Sequence, residues 1–269
     1  MTSSIRHLEP GQPKWNYGCQ QYKNSRDVFC EKDLFSIVVL ACGRPELTKQ
    51  TVLSTLENVK LFPGETEWIF IENGKCEETY KFFQSLSLER KVILQQDNWG
   101  INQGLNQGWA LSRGEFVMIL ENDWQTNFAG DFLTVAKNIF SENADVHMIQ
   151  LRDPRDPAEN HGLGKPLYNP VTCDEKECNK LGVQIKRKQT ANGHTYLVMG
   201  PYYALNNNPI IIRKELYRKY GPYPEALVGA DPRHGETLYQ SEVFRDGVLA
   251  AYIGIPLYRH IGRTQTKGV

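Results

Sequence analysis

Two carboxylates lie two residues apart directly after a strongly apolar stretch. Glu121 and Asp123 follow residues 115–120, whose apolar composition predicts a buried strand. If the chain stays extended there, both side chains point the same way. Two oxygen donors at a strand end suit a Mg²⁺ or Mn²⁺ ion bridging a diphosphate, since the ion takes its other ligands from phosphate and water. An acidic pair is more often a turn or a helix cap, so this interpretation needs support from other positions.

Glu236 and His260, near the end of the sequence, could also take part in chemistry. Glu236 begins a predicted helix over residues 236–246, where it is either a general base or a first-turn acid favoured by the helix dipole. His260 follows a predicted strand and could be a third metal ligand. A lone histidine is more often a packed or surface residue.

Glycines recur after Asn98, at Gly100, Gly104 and Gly108. The spacing places a stripe without side chains along one face of a helix, so that backbone can approach a ligand or the sheet closely. Both alternatives, ligand contact and close helix packing, remain open. The spacing is not that of a dinucleotide-binding fingerprint.

Short apolar segments predict the strands that must position these residues. The segments are residues 36–40, 67–71, 91–94 and 115–120, and the helical patterns between them are residues 47–59, 80–86 and 103–112. Alternation of strand and helix predicts βαβ units, hence an α/β fold with a doubly wound, mostly parallel sheet. Ligands of such sheets bind beyond the carboxyl ends of the strands, where the candidate residues lie.

The rest of the chain combines predicted elements with polar segments. The elements are helices over 132–140 and 236–246, a helix ending near residue 220, hairpin strands over 183–188 and 195–199, and strands over 146–151, 209–213, 250–253 and 256–258. Residues 152–200 are interpreted as an insertion or lid that contains the hairpin. Residues 1–33 are polar and predict an N-terminal arm.

Several side chains of the second half could contact an acceptor. The basic run in residues 185–188 could bind a phosphate-bearing acceptor, although a solvated hairpin edge with protective lysines is the simpler interpretation. Trp124, Tyr202 and Tyr203 could stack on a sugar ring or belong to the core.

Composition excludes several classes of protein. The 269 residues carry 31 Lys+Arg and 31 Asp+Glu, which argues against binding nucleic acid or anionic lipid through bulk charge. No apolar run approaches the roughly 20 residues of a membrane span, and the N-terminus is not a secretory signal, so we expect a soluble, cytoplasmic protein. Free thiols are then expected for the six cysteines, including Cys173 and Cys178, which lack the further ligands of a structural zinc site.

A series of short motifs stands in a recognisable order along the chain. They are residues 36–47, 71–74, 98–100 with 104–108, 113–116 leading into 121–123, 212–216 with 221–225, and Glu236 eleven residues before Gly247. Their order resembles that of the family 2 nucleotide-sugar glycosyltransferases of GT-A fold. The resemblance covers about residues 35–125 and 209–262.

This resemblance implies one GT-A domain over residues 34–269. Residues of about 34–125 would form the nucleotide-sugar half, and about 126–269 the acceptor half with the insertion over 152–200. The implied activity is an inverting, metal-dependent transfer of a sugar, most often a hexose, from a nucleoside-diphosphate sugar to an acceptor hydroxyl. A UDP-sugar is favoured as donor, and the acceptor would be a glycan, a lipid, a peptide or a modified nucleic acid.

The resemblance also implies a metal site. Glu121-Asn122-Asp123 stands in the place of the family's Asp-x-Asp motif. Asp123 would then bind the divalent ion, Mn²⁺ or Mg²⁺, on the nucleotide diphosphate, and Glu121 would lie toward ribose or metal. His260 matches a histidine that often closes the metal site.

Further positions are implied for the nucleotide and the base. Ala41 and Arg44 would border the nucleotide, Glu72 would face base or ribose, and Asn98 would hold the base side of the pocket.

The catalytic base is implied less directly. The family commonly has Glu-Asp where this chain has Glu236-Thr237, so either Glu236 is the base or Asp231 takes that role. The alternatives to a glycosyltransferase are a nucleotidyltransferase acting on a sugar phosphate and a non-catalytic module that binds sugar or nucleotide.

Overall fold

A computed structural model of the chain describes residues 30–62, 64–152, 185–199, 209–223, 243, 246–255 and 257–262. Several predictions lie outside these residues: those on the bulk of the N-terminal arm, the cysteine pair at 173 and 178, Tyr202, Tyr203, Asp231 and Glu236.

The described elements confirm the predicted alternation of strands and helices. The strands are β1 (Glu31–Ala41), β2 (Thr66–Glu72), β3 (Lys91–Gln95), β4 (Gly114–Glu121), β5 (Trp124–Thr126), β6 (Val146–Gln150), β7 (Ile185–Gln189), β8 (Thr195–Met199), β9 (Ile210–Arg213), β10 (Leu249–Tyr252) and β11 (Tyr258–His260). The helices are α1 (Pro45–Asn58), α2 (Glu77–Ser85), α3 (Ile101–Leu111), α4 (Phe132–Glu142) and α5 (Lys214–Tyr220). None of these helices is both long and apolar enough to cross a bilayer.

Nine of the described strands form the central sheet, in the order β3-β2-β1-β4-β9-β6-β10-β8-β7. β1 is paired in parallel with β2 and β4, and β2 with β3. β9 lies antiparallel between β4 and β6, and β8 lies antiparallel between β10 and β7. The other strands all run one way, which confirms the mostly parallel sheet. β5 and β11 form a separate antiparallel pair, here called the two-stranded ribbon.

Helices cover both faces of β1, which explains the apolar run over its residues 37–41. Ile37 and Val39 belong to a core cluster with residues of α1, α2 and α4, whereas Val38 and Leu40 belong to a second cluster with residues of α3 and α5. All four side chains are buried. Alternation between two apolar layers fixes the register of the strand, because a slip of one residue would exchange the two sets.

The glycine stripe of α3 lies directly against β1. A Cβ added to Gly104 would be 2.5 Å from Cδ1 of Leu40, and one added to Gly108 would clash still more closely with Cγ1 of Val38. Of the two alternatives left open for these glycines, the structure supports close helix packing. Gly100 differs, because it precedes α3 with a φ of 89° and a Cβ added to it would meet open space.

The predicted hairpin is present and extends the central sheet. β7 and β8 are joined by a turn in which Gly193 has a φ of 80°, and β8 is paired with β10. β7 is an edge strand, and its side chains over residues 186–189 are exposed. Lys188 donates a hydrogen bond to Oδ1 of Asn143 and so ties the edge to the end of α4.

Candidate functional site

Three parallel strands end side by side at one edge of the sheet. Ala41 of β1 is paired with Glu72 of β2, and Leu40 of β1 is paired with Glu121 of β4. The carboxyl ends of β1, β2 and β4 therefore bring Ala41, Glu72 and Glu121 to the same edge. In an α/β sheet this is the edge where ligands bind.

The chain does not stay extended after β4. Asn122 and Asp123 form a turn between Glu121, which ends β4, and Trp124, which begins β5. The condition under which the carboxylates of Glu121 and Asp123 would be aligned, an extended backbone, is therefore not met.

Hydrogen bonds from Asn122 hold this turn against the loop after β1. Nδ2 of Asn122 donates to the carbonyl oxygen of Gly43 at 3.2 Å and to Oγ1 of Thr48 at 3.1 Å. A side chain with both donor and acceptor atoms can satisfy two loops at once, and Asn122 is buried here. These hydrogen bonds therefore hold the turn and the start of α1 together.

Arg44 connects the same loop to Asp123. Its Nη2 donates to Oδ1 of Asn122 at 3.0 Å, and its Nη1 is 3.1 Å from Oδ2 of Asp123. Gly43 and Arg44 both have left-handed backbones, with φ of 63° and 52°, and Pro45 then begins α1. A non-glycine residue rarely adopts this conformation. Here it directs the guanidinium of Arg44 back over the sheet edge instead of along α1.

His260 approaches Asp123 from the two-stranded ribbon. Nε2 of His260 is 3.4 Å from Oδ2 of Asp123, and its ring lies 5.0 Å from that of Trp124, the residue paired with it across the ribbon. The amide of Ile261 donates to the carbonyl oxygen of Asp123 at 2.8 Å. His260 is thus the last residue of β11, whereas the sequence predicted that it follows a strand.

The ribbon is fastened to α1 on its other side. The amide of Thr126 donates to Oγ of Ser54 at 3.3 Å, and Oη of Tyr258 is 3.1 Å from Oγ1 of Thr55. Helix α1 therefore supports both Arg44 at its start and, through the ribbon, His260.

The surroundings of Asp123 favour its ionised form in spite of its burial. Burial alone would raise the pKa of Asp123, but the hydrogen bond with His260 and the charge of Arg44 outweigh it, so the pKa lies below its ordinary value. Oδ1 of Asp123 is buried and has no hydrogen-bond partner among the described residues. A buried anion with unused acceptor capacity can bind a further cation or donor.

Asp123 and His260 fit the divalent ion that the family resemblance implies. Their contacting atoms converge within 3.4 Å, as two ligands of one ion do, and Oδ1 of Asp123 remains unpartnered. The described part of the chain holds no cluster of three or more His, Cys, Asp or Glu side chains suited to a metal. An ion here would therefore take ligands from phosphate and water as well, which Mg²⁺ and Mn²⁺ readily do.

Glu72 holds two loops at the sheet edge. Its Oε1 accepts hydrogen bonds from the amides of Gly43 at 3.2 Å and Cys76 at 3.4 Å. Burial raises the pKa of Glu72, although these amides oppose the shift. The predicted contact of Glu72 with base or ribose stays a prediction.

Asn98 lies in the loop after β3, which Asn73 holds in place. Oδ1 of Asn98 accepts from the amide of Gly100 at 3.0 Å, and Asn73 donates to the carbonyl oxygen of Gly100 at 3.0 Å and accepts from the amide of Trp99 at 3.3 Å. Trp99 is 62% exposed beside this edge. The sequence did not lead us to assign roles to Asn73 or Asn122. Both asparagines directly follow a carboxylate at the end of a strand, and this shared pattern could have indicated that they hold loops at the sheet edge.

The structure thus brings Arg44, Asp123 and His260 into direct contact. Ala41, Glu72 and Glu121 share their sheet edge, and Asn98 follows the neighbouring strand. The proposed bases, Glu236 and Asp231, are outside the described residues.

Solved structures with a similar fold have low sequence identity to this chain. S. aureus TarS 1–349 in complex with UDP is 14% identical over 84% of this chain and 59% of its own, with a TM-score of 0.59. Its complex with UDP-GlcNAc gives a TM-score of 0.58, at 14% identity over 84% of this chain and 57% of its own. Mannosyltransferase PcManGT from Pyrobaculum calidifontis, in complex with GDP-Man and Mn²⁺, gives 0.52 at 14% identity over 82% of this chain and 59% of its own. The chain thus spans less than two thirds of these proteins.

Sequence comparison assigns the family. No curated protein matches the chain. The profile described as Glycosyl transferase family 2 matches residues 36–199, more than half of the sequence. β1 from Ser36 onward, β2 to β4, the turn with Asp123 and the β7–β8 hairpin lie within this match. The resemblance noted in the sequence is confirmed: the chain has the GT-A fold and belongs to glycosyl transferase family 2.

Proposed function

We propose that the chain transfers a sugar from a nucleoside-diphosphate sugar to an acceptor hydroxyl, with a divalent ion and with inversion at the anomeric carbon. The observation that carries the proposal is the convergence of Arg44 and His260 on Oδ2 of Asp123 at the carboxyl edge of the sheet. One carboxylate, one imidazole and one permanent cation are together suited to a metal-bound diphosphate.

The donor would lie along this edge. Asp123 and His260 would hold the ion. The imidazole nitrogen of His260 favours Mn²⁺ over Mg²⁺, because Mg²⁺ prefers oxygen ligands. Ala41 and Arg44 would border the nucleotide, and Glu121 would lie toward ribose or metal.

The nucleoside would extend from β1 toward β2 and β3. Glu72 and Asn98, which follow in that direction, would then face the base side. The bound UDP in TarS and GDP-Man in PcManGT support a nucleotide donor, and UDP is favoured.

The reaction needs a base and a stabilised leaving group. Glu236, or Asp231 in its place, would take the proton of the acceptor hydroxyl as its oxygen attacks the anomeric carbon from the face opposite the diphosphate. The bond from that carbon to the diphosphate oxygen breaks, and the nucleoside diphosphate leaves with the electron pair. A divalent ion at Asp123 would neutralise the charge that develops on this diphosphate.

The two halves of the domain would have separate tasks. We propose that about residues 34–125 bind the donor, with His260 added from the second half as an ion ligand, and that about residues 126–269 otherwise bind the acceptor. The insertion over 152–200 would choose among glycans, lipids, peptides and modified nucleic acids.

A donor screen followed by product analysis tests the proposal. UDP-, GDP- and dTDP-sugars are added with Mn²⁺, and the thermal midpoint is recorded for each; the true donor should raise it by mass action. Its product should be a nucleoside diphosphate. Release of pyrophosphate from a nucleoside triphosphate would instead indicate a nucleotidyltransferase, and binding without turnover a non-catalytic module.

Substitution of the base separates binding from transfer. Glu236→Gln should abolish transfer and leave donor binding intact, because the amide cannot accept the proton. Full activity of this variant would exclude Glu236, and Asp231→Asn would then be tested in the same assay.

A further inference from the structure

Arg44 contacts the same carboxylate oxygen that the proposed metal ion requires. Its Nη1 is 3.1 Å from Oδ2 of Asp123, and Nε2 of His260 is 3.4 Å from that oxygen. We infer that Arg44 is a place-holder cation, which occupies Asp123 until the diphosphate of the donor attracts it away. The inference rests on the proposed function and adds a binding order: the metal binds weakly by itself and tightly together with a nucleoside diphosphate.

The charges of the site favour this exchange. A guanidinium stays protonated at every accessible pH, so it leaves Asp123 only by moving. A metal ion that binds while Arg44 is in place would share one carboxylate with a second cation only a few ångströms away, and the two cations repel each other. A diphosphate removes the conflict, because its oxygens offer Arg44 a bidentate anionic partner and give the metal additional ligands.

The side chain of Arg44 can move while its backbone stays in place. Pro45 and the first turn of α1 fix the backbone, whereas the side chain is 43% exposed. The guanidinium can therefore rotate through solvent with little repacking. Asn122 would keep its bonds to Gly43 and Thr48, so the turn that carries Asp123 would stay in place.

Mn²⁺ binding to the protein without nucleotide tests the inference. Free Mn²⁺ is measured by electron paramagnetic resonance in titrations of the wild type and Arg44→Gln, each with and without saturating UDP. UDP should tighten Mn²⁺ binding to the wild type by about tenfold or more, within the usual range of coupling between two ligands. Arg44→Gln should bind Mn²⁺ about tenfold more tightly than the wild type without UDP. UDP should tighten Mn²⁺ binding to this variant less than it does for the wild type, because only the additional ligands of the diphosphate remain as a cause.

Two further variants serve as controls. Arg44→Lys keeps the charge and should retain weak Mn²⁺ binding, which a purely structural role of Arg44 does not predict. Arg90→Gln removes an equal charge from the residue before β3, at the opposite edge, where Arg90 is paired with Glu31 at 2.8 Å. Its Mn²⁺ affinity should equal that of the wild type.

The possible failures differ. If Arg44→Gln binds Mn²⁺ as weakly as the wild type, or more weakly, while both bind Mn²⁺ in the presence of UDP, the place-holder role is overturned and the proposed function stands. If neither protein binds Mn²⁺ even with UDP, the proposed metal site is overturned as well.

Discussion

Gly108→Ala tests the contact between α3 and β1 because two physical effects predict opposite signs. In a helix with open space beside it, Gly→Ala stabilises by about 1 kcal/mol through backbone entropy. At this position the new Cβ would clash with Cγ1 of Val38, which is buried and β-branched, so its rotamer cannot readily change. Overpacking of this kind costs about 1–3 kcal/mol.

The overpacking cost exceeds the helix gain. We expect Gly108→Ala to lose about 1 kcal/mol of unfolding free energy, and at most about 2 kcal/mol, which corresponds to roughly 2–8 °C in thermal midpoint for a domain of this size. Urea denaturation measures the first quantity and calorimetry the second. Gly104→Ala should lose less, because the atom it meets is Cδ1 of Leu40, the end of a more flexible side chain.

A second substitution shows whether the clash is the cause. In a Val38→Ala background the obstructing methyl groups are absent, so Gly108→Ala should gain stability and the double-mutant cycle should give a coupling of about 2 kcal/mol. Stabilisation of the wild-type background by Gly108→Ala would refute close packing. UDP affinity of the folded variant should stay unchanged, whereas a direct ligand contact of Gly108 predicts weaker binding.

Two further predictions concern buried polar groups. Burial lowers the pKa of Lys214 to about 8, against about 10.4 in an unfolded chain. Between about pH 8 and 10.4 the unfolded chain therefore binds more protons than the folded chain, so Lys214 makes the free energy of unfolding rise with pH over this range. Between pH 7.5 and 10.5 the free energy of unfolding, measured by urea titration, should rise by about 3 kcal/mol because of Lys214, and Lys214→Met should remove this rise. Lys81→Met, which changes an exposed lysine, should keep it. The same dependence of unfolding free energy on pH in both variants would contradict the burial of the Lys214 amine. Tyr258→Phe removes the bond to Thr55 that joins the ribbon to α1 and should cost about 1 kcal/mol; unchanged stability in urea would show that this bond does not hold the ribbon.

The central strands could be predicted because their physical cause is local. Residues 37–40 are apolar at every position, and such a run is explained by a strand with helices on both faces. The structure assigns Ile37 and Val39 to one core cluster and Val38 and Leu40 to the other. Because these strands were predicted to be parallel, their carboxyl ends were expected at one edge of the sheet. Ala41, Glu72 and Glu121 do lie together at that edge.

Contacts that depend on a particular loop conformation could not be predicted. Arg44 contacts Asp123 because its own backbone is left-handed and because Asn122 ties two distant loops together. Neither cause is visible in residue types, since a left-handed arginine before a proline is uncommon. The hairpin was predicted from two strands that flank the turn at Asn192-Gly193, but its attachment to the sheet depends on pairing with β10, about 50 residues further along.

Binding of UDP in the presence of Mn²⁺ tests the central claim, that Asp123 anchors a metal-bound nucleoside diphosphate at this sheet edge. By isothermal titration calorimetry, the wild type should bind UDP with Mn²⁺ and at least about tenfold more weakly without it. Asp123→Asn should bind UDP weakly with or without Mn²⁺. Asp246→Asn, a matched change just before β10 at the opposite edge, should behave as the wild type does. If Asp123→Asn binds UDP with wild-type affinity and the same dependence on Mn²⁺, the central claim is contradicted.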